Sequence, residues 1–594
     1  MININEEVDH YFEKVELLSK QSRLFREKDT ERLFINLLES IANSLSMYVR
    51  SDYQYFDYGK NIKPDATLFT VIGVPFGLYE AKDKKTNLDE EIDGKIKSGY
   101  PLYNIIFENS DRFILYQNNE KLLDIRASDN KKSLIDLLKK YFDYEPQEVK
   151  SFNRALLEFK TNLPSIVNKI RKDYGSKITN YRKNVEISYF TEYCKSTINP
   201  NLDSDDILEM IIQHILTIDI FNIIYNEIDF VKYNELAKRL DELVSILFEL
   251  SERKKMLESV HGFYENVRRN AINITDYSIK KKFLINFYEN FYQAYNPKAA
   301  DKLGIVYTPI EAVNFIIGGI DTLFKRHFKK NIFEKNVIFL DPCTGTGTFV
   351  SELVEYLYKK VYKKKDGDKL LINKFKNELF ANEISILPYY IACLSIEKVF
   401  YEKLRKYILF QNITLQDTLD NIVFDYDTVV HKLENHLGNM EKDNLNKIKL
   451  QNQQKISIIL GNPPYNANQK NANENNKNRK YPYIDNRIKE TYVKNSNSQK
   501  TKVYDMYSRF IRYASDRIND KGMIAFITNN SFIDTKTFDG FRKSVVDEFN
   551  YIYIVNLGGN SIENKSRPVG NIFNIKLGVS ISFFIRTGEN KNVN

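Results

Sequence analysis

The stretch Val337-Ile-Phe-Leu-Asp-Pro-Cys-Thr-Gly-Thr-Gly-Thr-Phe349 decides the fold. Its apolar start predicts a buried strand, and Asp341 stands where that strand gives way to a glycine-rich turn. Gly345 and Gly347 allow the backbone to approach a ligand where a Cβ atom would collide. A helix is expected from Phe349 to Tyr358. Strand, glycine turn and helix in this order predict a doubly wound α/β sheet from about residue 300 onward.

The chemistry of this turn narrows what it binds. No Lys-Ser/Thr pair follows the glycines, so the turn is not a P-loop. Dinucleotide binding is the rival interpretation, but the spacing is Gly-x-Gly and not Gly-x-Gly-x-x-Gly. Asp341 is a candidate partner for the cationic amino group of a methionine moiety. Glu383 ends the next predicted strand and suits ribose hydroxyls, and Asp417, after a third, suits the amino group of an adenine. A turn Asp is the other interpretation of Asp417.

A second motif, Asn462-Pro463-Pro464-Tyr465, follows the strand-like stretch Ile456 to Gly461. An exocyclic amine is a poor nucleophile because its lone pair is delocalised into the ring. The Asn462 side-chain oxygen and the Pro463 carbonyl can accept hydrogen bonds from such an amine, and the two prolines hold that carbonyl rigidly. The Tyr465 ring offers a face on which a flipped base can stack. A Pro-Pro turn that simply ends a strand is the alternative.

Composition excludes several classes of protein. The 594 residues predict several domains, and a hydrophobic fraction of 42% allows large cores. The net charge of +8 is compatible with nucleic acid without indicating it. Three widely spaced cysteines suggest neither a zinc site nor a disulfide framework. With no apolar signal core and no membrane span in the sequence, we expect a soluble, cytoplasmic protein.

Three regions follow one another along the chain. Residues 1–145 mix an opening helix with strand-like stretches, residues 146–300 are predicted to be an all-helical connector, and residues 301–594 carry the α/β alternation. Two low-complexity stretches, Lys359 to Lys369 and Asn466 to Lys502, are expected to be polar and exposed. The second directly follows the Asn-Pro-Pro-Tyr motif and is a candidate to close over a DNA strand.

The two motifs together resemble the N6-adenine DNA methyltransferases of restriction-modification systems, and most of all those fused to a nuclease, the Type IIG and Type ISP enzymes. The resemblance covers roughly residues 200 to 587 and includes Gly304-Ile-Val-Tyr307-Thr308-Pro309, which in that family folds over S-adenosylmethionine. It implies a Rossmann-like class I methyltransferase that flips adenine out of double-stranded DNA. The donor-pocket residues it implies are Tyr307, Thr308, Pro309, Asp341, Pro342, Thr344, Gly345, Gly347, Phe349, Glu383 and Asp417.

The N-terminal region carries a separate pattern. Pro64-Asp65 precedes one predicted strand, and Glu80-Ala81-Lys82 closes the next. Two carboxylates on neighbouring strand ends can hold Mg²⁺, and a lysine two residues after the second can orient an attacking water. This pattern resembles the PD-(D/E)xK nuclease core, with Asp65, Glu80 and Lys82 catalytic and both carboxylates binding the metal. The alternative is an exposed Glu80–Lys82 strand pair. Glu39 is a possible fourth member, although an exposed helical residue is the simpler interpretation.

Departures from the family pattern shape the expected function. The chain has no helicase motif, so we expect an enzyme closer to Type IIG that needs no ATP. No target-recognition domain is evident before Asn594, which predicts either a separate specificity subunit or a truncated product. Three other functions stay open. They are a methyltransferase without a nuclease, a degenerate DNA-binding subunit, and an N-methyltransferase of RNA or of protein glutamine.

Overall fold

A computed structural model describes residues 4–21, 27–45, 47–51, 55–57, 60–70, 75–126, 131–144, 147–181, 185–224, 230–272, 284, 287–288, 290–292, 294–295, 308–433, 438–465, 479–497, 503–558 and 578–589. The chain divides into two compact units, one of residues 1–162 and 260–287, the other of residues 163–259 and 288–594. Among the described helices, none is both long enough and apolar enough to cross a membrane.

Both units mix helices and strands, which confirms the predicted α/β class. The strands, in chain order, are β1 Tyr48–Arg50, β2 Tyr55–Asp57, β3 Lys60–Ile62, β4 Ala66–Phe69, β5 Pro75–Ala81, β6 Asn104–Glu108, β7 Arg112–Gln117, β8 Glu120–Arg126, β9 Phe339–Asp341, β10 Leu379–Glu383, β11 Ile413–Leu415, β12 Ile456–Gly461, β13 Ile518–Asn529, β14 Tyr551–Gly558 and β15 Val579–Arg586.

The α-helices within the described ranges connect and cover these strands. In chain order they are α1 Ile4–Gln21, α2 Glu27–Ser44, α3 Leu88–Lys97, α4 Lys131–Asp143, α5 Gln147–Tyr181, α6 Val185–Thr197, α7 Ser204–Ile224, α8 Phe230–Tyr233, α9 Glu235–Leu247, α10 Leu250–Leu257, α11 His261–Ile272, α12 Ile310–Phe328, α13 Thr348–Val361, α14 Gly367–Asn373, α15 Ile386–Leu404, α16 Tyr426–Leu433, α17 Asn439–Gln453, α18 Pro482–Ile488, α19 Met506–Arg517, α20 Ser531–Asp534 and α21 Asp539–Glu548.

The first unit is built on a six-stranded sheet with the order β1-β4-β5-β6-β7-β8. All neighbours are antiparallel except β5 and β6, which are parallel and joined through helix α3. Side chains alternate across the sheet. Tyr79 of β5 lies in the core that contains residues of α1, α2 and α4, whereas Leu78 packs with Leu88 and Ile92 of α3. This alternation fixes which face each polar residue of β5 occupies.

The second unit is built on a seven-stranded sheet with the order β11-β10-β9-β12-β13-β15-β14. The five strands β11, β10, β9, β12 and β13 are parallel to one another. Strand β15 is antiparallel to both of its neighbours, β13 and β14. The chain starts in the middle at β9, fills one side with β10 and β11, and then crosses to β12. The order therefore reverses between β9 and β12, and ligands of open α/β sheets bind at the carboxyl ends of strands beside such a switch point.

Helices cover both faces of this sheet. The Phe584 side chain joins a core with residues of α18, α19 and α21, whereas its neighbour Phe583 lies against Gly319 of α12. A Cβ atom at Gly319 would come within 2.6 Å of the Phe583 ring, so the glycine permits close packing of α12 on the sheet. Strands β12 and β15 are buried on both faces and accordingly read as nearly continuous apolar runs, whereas the edge strand β14 is partly exposed.

All elements described from Gln147 to Ile272, the region that separates the two sheets in the sequence, are helices joined by short loops. These helices do not form a unit of their own, since residues 163–259 group with the C-terminal sheet and residues 260–287 group with the N-terminal one. The boundaries at residues 145 and 300 stay a prediction. Within the second unit, Arg239 of α9 forms a buried ion pair with Glu441 of α17, with Nε and Oε1 2.7 Å apart.

The expectation of a polar, exposed stretch from Asn466 to Lys502 is wrong for one face of residues 479–497, while residues such as Lys480 and Lys489 are exposed as expected. This segment contains α18 and a π-helical turn, Lys489–Val493. Tyr481, Ile484, Ile488 and Tyr492 are buried in the core on one face of the sheet. Burial of these apolar side chains outweighs the polar composition of the surrounding sequence.

Candidate functional site

The loop after β9 brings Asp341 to the carboxyl edge of the sheet. The Thr344 amide donates to the Asn382 carbonyl at 2.9 Å, and the Thr344 hydroxyl donates to the Asp341 carbonyl at 3.1 Å, which ties the loop to β10. The Asp341 side chain is buried. Its Oδ1 accepts from the Cys343 amide at 3.1 Å, and its Oδ2 finds no hydrogen-bond partner within the described part of the chain. Burial is the main reason that the pKa of Asp341 rises to about 8.

The two glycines of the loop serve different purposes. Both have positive φ, +55° at Gly345 and +81° at Gly347. A Cβ atom at Gly347 would lie 2.9 Å from Cα of Ala392, so this glycine allows α13 to begin close against α15. A Cβ atom at Gly345 would meet nothing within 4 Å among the described residues. The open space expected beside a bound ligand is therefore at Gly345.

Glu383 ends β10, the strand beside β9, and lies directly under the glycine loop. Its Oε2 accepts from the Gly345 amide and its Oε1 from the Ser385 amide, both at 2.8 Å. Burial is the first cause of a pKa raised to about 7, and the amide donors oppose it. The Ile384 backbone amide also contributes, so about one of the four acceptor positions of the carboxylate is left for a further donor. Pro342, in the same loop, accepts through its carbonyl from the Thr418 hydroxyl at 2.6 Å, and Phe349 is buried.

Asp417 follows β11, the edge strand next to β10, and is buried. Its Oδ1 accepts from the Leu419 amide at 2.9 Å. Its Oδ2 accepts from Arg479 Nη1 at 2.9 Å and from the Tyr481 hydroxyl at 3.0 Å. Sequence reasoning missed both of these partners. They lie more than 60 residues away in a stretch of polar composition, and no local motif marked them.

The Asn-Pro-Pro-Tyr motif stands at the end of β12, on the other side of β9. The Asn462 side chain donates through Nδ2 to the Thr308 hydroxyl at 2.9 Å. Its Oδ1 is buried and has no hydrogen-bond partner among the residues that the structure describes. Thr308 thus fixes the amide so that its oxygen is left to accept. Pro309 caps the start of α12, and Tyr307 lies outside the described residues.

The two motifs meet at one point of the sheet edge. A Cβ atom at Gly461, one residue before Asn462, would lie 2.8 Å from Asp341 Oδ1. The backbone N–H of Asn462 donates a hydrogen bond to the Cys343 thiol. Burial is the main cause that raises the pKa of the Tyr465 hydroxyl well above its usual value, and the thiol of Cys343 is close enough to contribute. Asp341, Glu383, Asp417 and Asn462 therefore follow four adjacent strands at one edge.

The N-terminal triplet also comes together. Ala66 pairs with Tyr79 in antiparallel register, which sets Asp65 beside Glu80. Asp65 Oδ2 accepts from the Ala81 amide at 2.8 Å, and Lys82 Nζ donates to Glu80 Oε1 at 2.7 Å. Glu80 is 1% exposed, and its Oε2 finds no hydrogen-bond partner among the described residues. Burial, followed by the charge of Glu80, raises the pKa of Asp65. Glu80 is therefore no surface residue.

Two further polar residues border this triplet, and sequence reasoning missed them. Lys95 of α3 forms a second ion pair with Glu80 Oε1. Glu108 ends β6, beside Ala81, and its Oε1 accepts from the Tyr79 hydroxyl at 2.7 Å, on the opposite face of the sheet from Glu80. Burial raises the pKa of Glu108 to about 6. Glu39 is exposed on α2. Within the described ranges, no three or more His, Cys, Asp or Glu side chains form a group that could hold a metal ion.

Two family models match parts of the chain. Residues 157–278 match the coupler domain of Type ISP restriction-modification enzymes, and residues 355–562 match the Eco57I restriction-modification methylases. The predicted resemblance to restriction-modification methylases is thereby confirmed for the segment that contains Glu383, Asp417 and Asn462. Neither match reaches Asp65, Glu80 or Lys82.

Solved structures agree with these matches. The chain is 39% identical to DrdV, solved as a DNA complex, with a TM-score of 0.76, and the alignment covers 99% of this chain and 56% of that one. It is 32% identical to a nuclease-deletion mutant of the Type ISP enzyme LlaGI in complex with a DNA substrate mimic, with a TM-score of 0.64 and coverage of 78% and 36%.

A third structure, the ATP-dependent Type ISP enzyme LlaBIII bound to DNA, is also 32% identical, with a TM-score of 0.66 and coverage of 77% and 30%. The chain thus spans about half of the DrdV chain and about a third of each Type ISP chain. The comparison with curated proteins finds no match.

Proposed function

We propose that this chain is a restriction-modification protein that methylates N6 of adenine in double-stranded DNA with S-adenosylmethionine, and that its N-terminal unit cleaves DNA with Mg²⁺. The methyltransferase proposal rests on two buried oxygens at one sheet edge, Asp341 Oδ2 and Asn462 Oδ1, which find no hydrogen-bond partner in the described part of the chain. Unsatisfied buried acceptors cost free energy unless a ligand supplies donors. Asp341 Oδ2 suits the cationic amino group of the donor, and Asn462 Oδ1 suits the neutral amino group of the target base.

The donor pocket uses side chains at the ends of three strands. Asp341 pairs with the amino group of the methionine moiety, and Glu383 accepts from a ribose hydroxyl at the acceptor position that its backbone amide donors leave. Asp417 accepts from the 6-amino group of the donor's adenine. Gly345, where a side chain would meet open space, lets the loop lie against the donor. The family resemblance assigns Tyr307, Thr308 and Pro309 to the same pocket. S-adenosylmethionine, when bound here, supplies an electrophilic methyl group on a sulfonium.

Transfer needs the target amine to regain a localised lone pair. Asn462 Oδ1 and the Pro463 carbonyl accept its two N–H groups and favour tetrahedral geometry at the nitrogen, while Pro464 keeps the turn rigid. Tyr465 stacks on the flipped base. Once the methyl group is attached, the nitrogen is positively charged and sheds a proton readily. A strong general base is therefore not required.

Asp65, Glu80 and Lys82 of the N-terminal unit support the proposal of magnesium-dependent cleavage. Mg²⁺ is commonly held by one or two carboxylates and keeps several waters, and Asp65 with the open Oε2 of Glu80 fits that requirement. Lys82 contacts the same glutamate and can orient a water for attack on a phosphodiester. The metal, when bound, supplies charge stabilisation at the phosphate.

The partner of this chain is duplex DNA, in keeping with the DNA complexes of the three similar structures. A separate specificity subunit is a further candidate partner. The remaining alternatives for the function are a methyltransferase without nuclease activity, a degenerate DNA-binding subunit, and an N-methyltransferase of RNA or of protein glutamine.

In the decisive experiment, the protein is incubated with labelled S-adenosylmethionine and with plasmid DNA, RNA or a glutamine peptide. We expect label on N6 of adenine in DNA. Asn462→Ala should abolish transfer yet bind the donor with nearly unchanged affinity, because Asn462 faces the target. Asn452→Ala, which alters an asparagine bonded to the Asn421 carbonyl, is the matched control and should retain transfer. Label in RNA or peptide alone, or full transfer by Asn462→Ala, contradicts the proposal.

A further inference from the structure

Arg479 is a buried arginine that joins three acceptors beside the donor pocket. Its Nη1 donates to Asp417 Oδ2 at 2.9 Å and to the Ile198 carbonyl at 3.1 Å, and its Nη2 forms an ion pair with Asp420. The residue is 7% exposed. A planar guanidinium held on three sides has little freedom to turn, so it is suited to fix the position of a carboxylate.

The contacts of Asp417 leave one acceptor position open. A carboxylate can accept about four hydrogen bonds, two at each oxygen. Oδ2 is filled by Arg479 and by the Tyr481 hydroxyl, whereas Oδ1 accepts only the Leu419 amide among the described donors. The open lone pair is thus on Oδ1. A ligand that reaches Asp417 has to donate to it, and to that one oxygen.

The charge of Arg479 also favours the ionised form of Asp417. Burial raises the pKa of Asp417, and the charge of Arg479 is the largest influence that opposes the rise. An ionised carboxylate only accepts hydrogen bonds, whereas a protonated one can also donate. An acceptor suits the 6-amino group of adenine. A protonated acid would tolerate a 6-oxo group as well.

We propose that Arg479 is a positioning residue that makes the donor pocket select a 6-amino purine, because its ion pair with Oδ2 holds the Asp417 carboxylate in place and leaves Oδ1 as the open acceptor. This inference rests on the proposed function, since it concerns the purine ring of the proposed donor. It extends that function from binding a nucleoside sulfonium to choosing among purines. Tyr481, the second donor to Oδ2, assists in the same way without carrying charge.

The test compares two ligands by calorimetry with the full chain, S-adenosylhomocysteine and S-inosylhomocysteine, which differ by a 6-amino or a 6-oxo group. The native chain should prefer the adenosyl ligand by at least roughly tenfold, because the oxo group leaves Asp417 facing an acceptor. Arg479→Gln should lower this ratio at least fivefold. The ratio is the readout, because a merely structural defect weakens both ligands alike.

Arg487→Gln is the matched control. Arg487 stands in the same segment and pairs with Asp516, away from Asp417, so its variant should keep the native ratio. Tyr481→Phe, which carries the test if Arg479→Gln fails to fold, should lower the ratio by a smaller factor. A native ratio in both Arg479→Gln and Tyr481→Phe overturns the inference. A native chain that binds neither ligand overturns the proposed donor instead, and one that binds both equally overturns the role of Asp417.

Discussion

At the scale of single residues, the hydrogen bond from Asn462 Nδ2 to Thr308 determines which way the amide faces. Thr308→Val keeps the shape of the side chain but removes the hydroxyl, so the amide loses its anchor and its oxygen is no longer held toward the target. One hydrogen bond contributes about 1 kcal/mol. We therefore expect kcat for methyl transfer to fall roughly five- to tenfold, measured by single-turnover transfer to DNA.

The controls for this prediction are Thr308→Ser and Thr322→Val. Serine restores the hydroxyl and should restore most of the rate. Thr322 bonds the Gly318 carbonyl on the exposed side of α12, and its variant should behave as the native chain. If Thr308→Val transfers methyl groups at the native rate, Thr308 does not orient Asn462.

The raised pKa of Asp341 predicts that donor binding releases a proton. With a pKa of about 8, this carboxyl is largely protonated at pH 7 in the empty protein. A bound cationic amine favours the ionised form, so affinity should increase from about pH 6 to about pH 8 and level off above. Calorimetry in buffers of different ionisation enthalpy measures the released proton.

Asp341→Asn should lose most of that proton release, whereas Glu383→Gln, which alters a carboxylate proposed to meet neutral hydroxyls, should retain it. Donor affinity that does not depend on pH between these limits would exclude Asp341 as the partner of the amine.

Local motifs revealed some of these residues but not others. The common position of Asp341, Glu383 and Asn462 could be predicted because each ends or directly follows a strand, and parallel strands end at one edge. Arg479 and Lys95 could not be found, since each reaches its carboxylate through a contact between distant elements. The packing that requires a glycine at position 347 could not be predicted either, because its close neighbour, Ala392, belongs to a helix more than 40 residues away.

At the scale of elements, the segment of α18 and the π-helical turn after it should be a stabilising part of the core. Ile488 is fully buried in it. Ile488→Ala removes three carbons from a packed core, and such a cavity costs roughly 2 to 5 kcal/mol. We expect a clear fall in the free energy of unfolding, measured by chemical denaturation with a probe in the second unit.

The neighbouring residue supplies the control. Lys489 is exposed, so Lys489→Ala should change the free energy of unfolding by less than about 0.5 kcal/mol. Equal stability of both variants would mean that this segment does not contribute to the core.

Composition misled the prediction for this segment because the Asn and Lys residues around it outnumber the apolar ones. The helical signal was nevertheless present. Tyr481, Ile484, Ile488 and Tyr492 recur at spacings of three and four residues, which aligns them on one face of a helix. Where the pattern was strong and continuous, as in β9 and β12, the element was predicted close to its observed position. Short periodic runs inside polar sequence need the same weight.

At the scale of the whole molecule, the two proposed activities should be separable, because each uses side chains of a different compact unit. Asp65→Asn or Lys82→Ala should abolish magnesium-dependent cleavage and leave methylation intact. Asn462→Ala should do the reverse. Cleavage of unmethylated plasmid and label transfer to DNA, measured in parallel, test this prediction.

Glu39→Ala is the control for the nuclease variants, since Glu39 is an exposed charge on α2 and should not affect cleavage. Cleavage that survives in both Asp65→Asn and Lys82→Ala would remove the nuclease from the proposal. Loss of methylation in the same variants would show that the units are not independent.

The division of the helical region could not be read from the sequence. Its heptad-like apolar spacing predicts helices correctly but does not say which sheet they pack on, since any apolar stripe suits either partner. Long-range pairs such as Arg239 with Glu441, which are 202 residues apart, determine which sheet the helices pack on. The periodicity of a sequence does not predict such pairs.

Strand β15 pairs with β13 on one side and β14 on the other. During synthesis, β13 and β14 are made before β15, which begins at residue 579. Until β15 is made, each of the two strands has an unpaired edge that β15 later covers. The nascent sheet is thus exposed to β-strand exchange with neighbouring chains for the length of that interval.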